Sequence, residues 1–102
     1  MNDTKWNEIF LAFYDNECCT RSSFPVCYRT KDINGQVSDW DSAWEHFGCI
    51  FPWYKDLEWM QIALTEENNT FVIKTLKSIH VPGIIQEETV TIFGYQQDCD
   101  YI

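Results

Sequence analysis

The dipeptide Asn34-Gly35 constrains this chain most. Both residue types accept positive φ, which tight hairpin turns demand and most residues resist. The residues before it alternate, Val26, Tyr28 and Thr30 against Cys27, Arg29 and Lys31. This pattern predicts strands over about 26–33 and 36–39, joined as an antiparallel hairpin.

Helical spacing surrounds this hairpin. In "DTKWNEIFLAFYDNE", Trp6, Phe10, Phe13 and Tyr14 recur three and four apart beside Ile9, so residues 3–17 read as an amphipathic helix. Asp3 or Thr4 can cap it. "CCTRSSFP" and "CIFPWYKD" read as loops, and "LEWMQIAL", Leu57 to Leu64, as a strand. A second helix is expected from about 66 to 79, with Phe71, Val72, Leu76 and Ile79 on its stripe. "HVPG" stops it, because Pro82 restricts Val81 and Gly83 permits a turn. His80 is expected to place a cation at the helix C-terminus. A final hairpin follows, with strands near 84–86 and 89–95 and a polar tail. The order α, β, β, short α, β, α, β, β implies one α+β domain over residues 1–102. Its sheet is mainly antiparallel, with two main helices packed on one face.

"SDWDSAWEHFG", Ser38 to Gly48, holds two tryptophans, three acids and a histidine. As a helix, Ser38 is the N-cap, Asp39 and Asp41 favour the positive dipole end, and Gly48 closes the element. Trp40, Ala43, Trp44 and Phe47 then face the core, and Asp41 and Glu45 face water or a partner. A bulged strand end is the rival reading of the same residues.

The charge is uneven. The whole chain carries −9, and residues 32–67 carry eight acids against Lys55 alone, a net of −7. That segment also holds Trp40, Trp44, Trp53 and Trp59. An acidic surface repels phosphates, which disfavours nucleic acid, and steers basic proteins toward itself. Simple solubility is the plainer explanation of the same charge.

Five cysteines, an odd number, form no CxxC pair, so zinc-ribbon spacing is absent. The start "MNDTKWNEIF" shows no basic region followed by an apolar run, and no apolar run approaches a membrane span. Reducing cytoplasm is the expected compartment, with no membrane contact and thiols mostly buried as small apolar groups. The sequons at Asn2 and Asn68 then carry no meaning.

No motif specifies a reaction. His46 and Cys49, with Asp39 nearby, could form a small nucleophilic site only if they converge in one pocket. Metal ligation by His46, His80, the aspartates or the cysteines follows no known spacing, and no cofactor is expected. The acid pairs Asp39/Asp41, Glu66/Glu67, Glu87/Glu88 and Asp98/Asp100 sit at helix starts, turns and the tail, where solvation explains them. Most tryptophans fall on buried stripes. Trp53 and Tyr54, beside Pro52 and Lys55, are the aromatics expected at the surface.

The segments "YRTKDINGQVSDWD", "LEWMQI" and "LKSIHVPG", closing on Gly94-Tyr95, resemble an uncharacterised family of small bacterial proteins with SDWD, EW and IHVPG in that order. The family implies no activity. In size, acidity and lack of catalytic motif, the chain also resembles immunity proteins of bacterial toxin systems such as contact-dependent growth inhibition. That resemblance implies an intracellular protein that binds and neutralises one basic toxin domain, often a nuclease, and carries over no residues. The expected contacts, read from charge and exposure, are Asp39, Asp41, Glu45, Trp53, Tyr54 and Asp56. The alternatives are a small enzyme built on Asp39, His46 and Cys49, and a nucleic-acid-mimicking phage inhibitor.

Overall fold

A computed structural model describes residues 1–18, 25–48, 53–95 and 100–102, without the side chains of 15–18, 48 and 53. Residues 19–24 and 49–52 of the two expected loops, and 96–99 of the polar tail, lie outside the described residues. The elements are α1 (Asp3–Cys18), β1 (Tyr28–Asp32), α2 (Trp44–Gly48), a 3-10 turn (Trp53–Asp56), β2 (Leu57–Ala63), α3 (Asn69–Ile79), β3 (Gly83–Ile85) and β4 (Thr89–Phe93). The four strands form one antiparallel sheet in the order β1-β2-β4-β3. The fold is α+β, as expected.

Register decides which face is covered. Tyr28 pairs with Ile62, which pairs with Val90; Thr30 pairs with Met60, which pairs with Ile92. Directly paired residues share a face, so Tyr28, Ile62, Val90, Met60 and Ile92 lie together, and all five are buried. They join Trp6, Ile9 and Phe13 of α1, Trp44 and Phe47 of α2, and Val72 and Leu76 of α3 in one core. Its centre is aromatic: Trp44 lies 4.8 Å from Phe13 and 4.4 Å from Tyr28, ring centre to ring centre. The opposite face carries Arg29, Lys31, Trp59, Gln61, Thr91 and Phe93.

The local starts and stops differ from expectation in instructive ways. Asn2 caps α1, its Oδ1 accepting the Lys5 amide at 2.9 Å, so the cap falls one residue before Asp3. The hairpin turns through Ile33, Asn34 and Gly35, and only Gly35 has positive φ, at 92°. Asp32 Oδ1 accepts the amides of Asn34 and Gln36 and holds the loop closed. This is the three-residue hairpin loop with its glycine in the left-handed region, not the two-residue turn.

Before α3, Thr65 and Asn68 exchange bonds. Asn68 Oδ1 accepts from the Thr65 amide at 2.8 Å, and Thr65 Oγ1 accepts from the Asn68 amide at 3.1 Å. This is capping-box geometry with asparagine in the usual Glu or Gln place. The box closes a turn over 66–68, and regular helix follows from Asn69, three residues later than expected. At the other end, His80 adopts φ 66° and donates its amide to Leu76 O. Its imidazole stacks on Tyr101, while Lys5 Nζ is the cation that reaches the Ile79 carbonyl.

The chain covers both sheet edges near its ends. Tyr28 and Asp41 exchange backbone bonds at 2.8 and 2.9 Å along β1. Beside the start of β3, the Gly83 amide reaches Asp100 O and the Ile102 amide reaches Val81 O. Covered edges leave fewer open templates for aggregation.

Candidate partner-binding site

Residues 37–41 run alongside β1 before α2 begins. Single bridges pair Val37 with Lys31 and Asp41 with Tyr28. The strand-end reading therefore holds for the first part of Ser38–Gly48, and the helical reading only for Trp44–Gly48. Ser38 is not a helix cap. Its hydroxyl accepts the Thr30 amide across the pair at 2.9 Å and donates to Asp39 O.

The change of backbone moves Trp40. A helical stripe would bury it beside Trp44, but it is 42% exposed, with Arg29 held 4.7 Å above its ring. The expected burial of Trp40 is thus corrected: alternation, not a 3.6-residue period, sets its direction. Trp44 and Phe47 do face the core, and Trp44 Nε1 donates to Val26 O at 2.9 Å.

Asp41 is the junction between strand end and helix. Its Oδ1 accepts the Ala43 amide at 2.8 Å, an Asx turn that starts the reversal into α2. Its Oδ2 lies 2.7 Å from His46 Nδ1. The hydrogen bond to His46, and then the Ala43 amide, hold the Asp41 carboxyl below its ordinary value of 3.8. Ser38, Asp39, Trp40, Asp41 and His46 line one concavity of about 290 Å³. Asp39, Glu45 and His46 are exposed, and Asp41 is partly so.

The other expected contacts separate from this cluster. Tyr54 is 1% exposed and stacks on Phe47 at 5.3 Å, so its expected exposure is overturned. The 3-10 turn folds its ring inward, and burial pushes its hydroxyl pKa up. The Trp53 side chain and Cys49 lie outside the described residues. Asp56 is partly buried against the hairpin, where its carbonyl accepts the Ile33 amide at 2.8 Å. The structure thus gathers Asp39 and Asp41, with Glu45 adjacent on α2, and adds Trp40 and Ser38. Trp40's place beside a strand end was the available signal for its exposure.

Among the described residues, no group of three or more His, Cys, Asp or Glu is placed to hold a metal ion. Among them too, no helix is long and apolar enough to cross a membrane.

Fold and site define a small α+β domain with an acidic strand edge around an exposed tryptophan. The chain belongs to a family of unknown function, DUF6678, whose model matches residues 1–99. Neither the comparison with curated proteins nor that with solved structures gave a match. That the family is uncharacterised agrees with the expectation from the sequence.

Proposed function

We propose that this protein is a cytoplasmic, non-catalytic binding protein that neutralises a basic bacterial toxin domain, nuclease-type, in the manner of an immunity protein. The observation that carries the reading is Trp40, a large exposed ring between the exposed Asp39 and the partly exposed Asp41. Interfaces use such rings as anchors, with charge at the rim setting the encounter rate. The net −7 over residues 32–67 supports a basic partner. The contact set becomes Asp39, Trp40, Asp41 and Glu45, with Asp56 at the margin and Tyr54 withdrawn into the core.

The test is co-expression with a basic nuclease-type toxin domain, sought first among the neighbouring genes. The expected result is a soluble complex in which the nuclease activity is suppressed. A free toxin in the presence of excess protein would sink the proposal.

One observation favours a second reading. His46 is within hydrogen-bond reach of a carboxylate in an open concavity, which a small enzyme would require. The carboxylate is Asp41 rather than Asp39, and the Cys49 that would act as nucleophile is outside the described residues. A nucleic-acid mimic is the weaker proposal, because it calls for carboxylates without exposed rings, and Trp40, Tyr95 and Tyr101 are exposed.

A further inference from the structure

The uncovered sheet face carries a side-chain chain that the acidic edge does not use. Arg29 Nε donates to Gln61 Oε1 at 2.8 Å, and Gln61 Nε2 donates to Thr91 Oγ1 at 3.2 Å. The three residues are direct cross-strand neighbours on β1, β2 and β4. Two rings flank the guanidinium, Trp40 at 4.7 Å and Trp59 at 5.9 Å. An arginine so held keeps less side-chain freedom, so ordering it costs a ligand less.

The guanidinium is also electrostatically unspent. The chain has sixteen acids and seven Lys or Arg, yet among the described residues no carboxylate forms an ion pair with Arg29. Lys31, on the same face, is taken by Glu58 at 3.0 Å. With Nε engaged by Gln61, the two terminal nitrogens keep their donors, a fork that matches a carboxylate. Trp59, whose ring lies 5.9 Å from the guanidinium, also lines a hollow of about 240 Å³ with Phe93, Tyr95 and Glu58. Three of its four lining residues are aromatic, and the fourth, Glu58, is paired with Lys31.

We propose that Arg29, set between Trp40 and Trp59 and steadied by Gln61, binds the carboxylate of a small aromatic monoacid whose ring lies against Trp59 and Phe93. This goes beyond the basic-partner reading: the site shares only Trp40 with those contacts, Arg29 is not among them, and the ligand has the opposite charge.

The test is a titration of the full chain with benzoate, followed by the shifts of the Arg29 Nε–H and tryptophan indole signals in NMR. Saturable shifts at Arg29, Trp40 and Trp59 are expected, with benzyl alcohol and inorganic phosphate each binding more weakly. Arg29→Lys, which keeps the charge and loses the planar fork, should weaken benzoate by about tenfold. Gln61→Leu should weaken it less, through looser positioning of Arg29. Benzyl alcohol or phosphate binding as well as benzoate would overturn the assignment without recourse to any variant. So would unchanged affinity in folded Arg29→Lys, or no saturable binding below about 10 mM. Asp39 and Glu45 are untouched in these experiments, so failure here leaves the toxin-binding reading standing.

Discussion

Asp41 Oδ2 lies 2.7 Å from His46 Nδ1, while Oδ1 of the same carboxylate accepts the Ala43 amide. One side chain thus fastens the strand end along β1 to the first turn of α2, and shapes the acidic concavity. The pair is substantially solvent-exposed, so it contributes little to global stability. Its pH dependence has a definite sign. The folded Asp41 carboxyl titrates below its ordinary value of 3.8. Its contribution is therefore present above that value and lost as pH falls through the lower folded one. Asp41→Asn keeps an oxygen for Ala43 and removes the charge. The stability gap between wild type and variant should close as pH falls from about 5 to about 2. Urea melts at several pH values measure it; a gap that widens on acidification would contradict the assignment.

Asn68 is expected to be far more costly to change. It is 1% exposed, and its Nδ2 donates to the carbonyls of Pro25 and Ala63 at 3.1 and 3.2 Å. These bonds tie the segment before β1 and the end of β2 to the start of α3. Asn68→Ala strands two carbonyls and the Thr65 amide, and should destabilise by about 2–4 kcal/mol. A urea midpoint unchanged from wild type would show that water replaces these bonds.

How much of this was legible beforehand depends on what each residue's direction rests on. The α1 stripe was readable because Trp6, Ile9 and Phe13 sit inside one long helix with one period. Leu57–Ala63 and the closing hairpin were readable within one or two residues for the same reason. Trp40 escapes a single-period reading because a strand-to-helix boundary lies between it and Trp44, near Ser42. Tyr54 was misplaced because a proline-bearing loop suggests exposure, whereas a 3-10 turn can fold a ring inward onto Phe47. Arg29, Trp40 and Trp59 meet only through sheet register and edge pairing, so no local pattern shows them together. Asn68 stands in a sequon that says nothing of its partners; only tertiary contacts make it a buried hub.

Gly94 should tolerate no side chain. A Cβ there would stand 2.2 Å from Leu57 O, while the Gly94 amide donates to Glu58 O at 2.8 Å. The clash is with backbone at the beginning of β2, which cannot swing aside as a flexible side chain would. Gly94→Ala should destabilise by about 1–3 kcal/mol. Thermal melting reads this directly, and a neutral result would mean that the β4 end can move away from β2.

The two tryptophans of "SDWDSAWEHFG" should behave as opposites. Trp44→Ala removes a 1% exposed ring from the aromatic centre of the core, and should cost about 3–5 kcal/mol. Trp40→Ala loses mainly the contact with Arg29 and should cost about 1 kcal/mol or less. Equal losses in chemical denaturation would mean that Trp40 supports the fold rather than a surface.

The most direct test of partner binding is the association rate with the proposed basic toxin domain, measured against salt by stopped flow. The account predicts a rate that falls about tenfold or more from low to physiological ionic strength. In the double variant Asp39→Lys, Glu45→Lys, the low-salt rate should drop and most of the salt dependence vanish, with folding intact. A wild-type rate indifferent to salt, or a double variant that associates like wild type, would contradict the acidic edge as the docking surface.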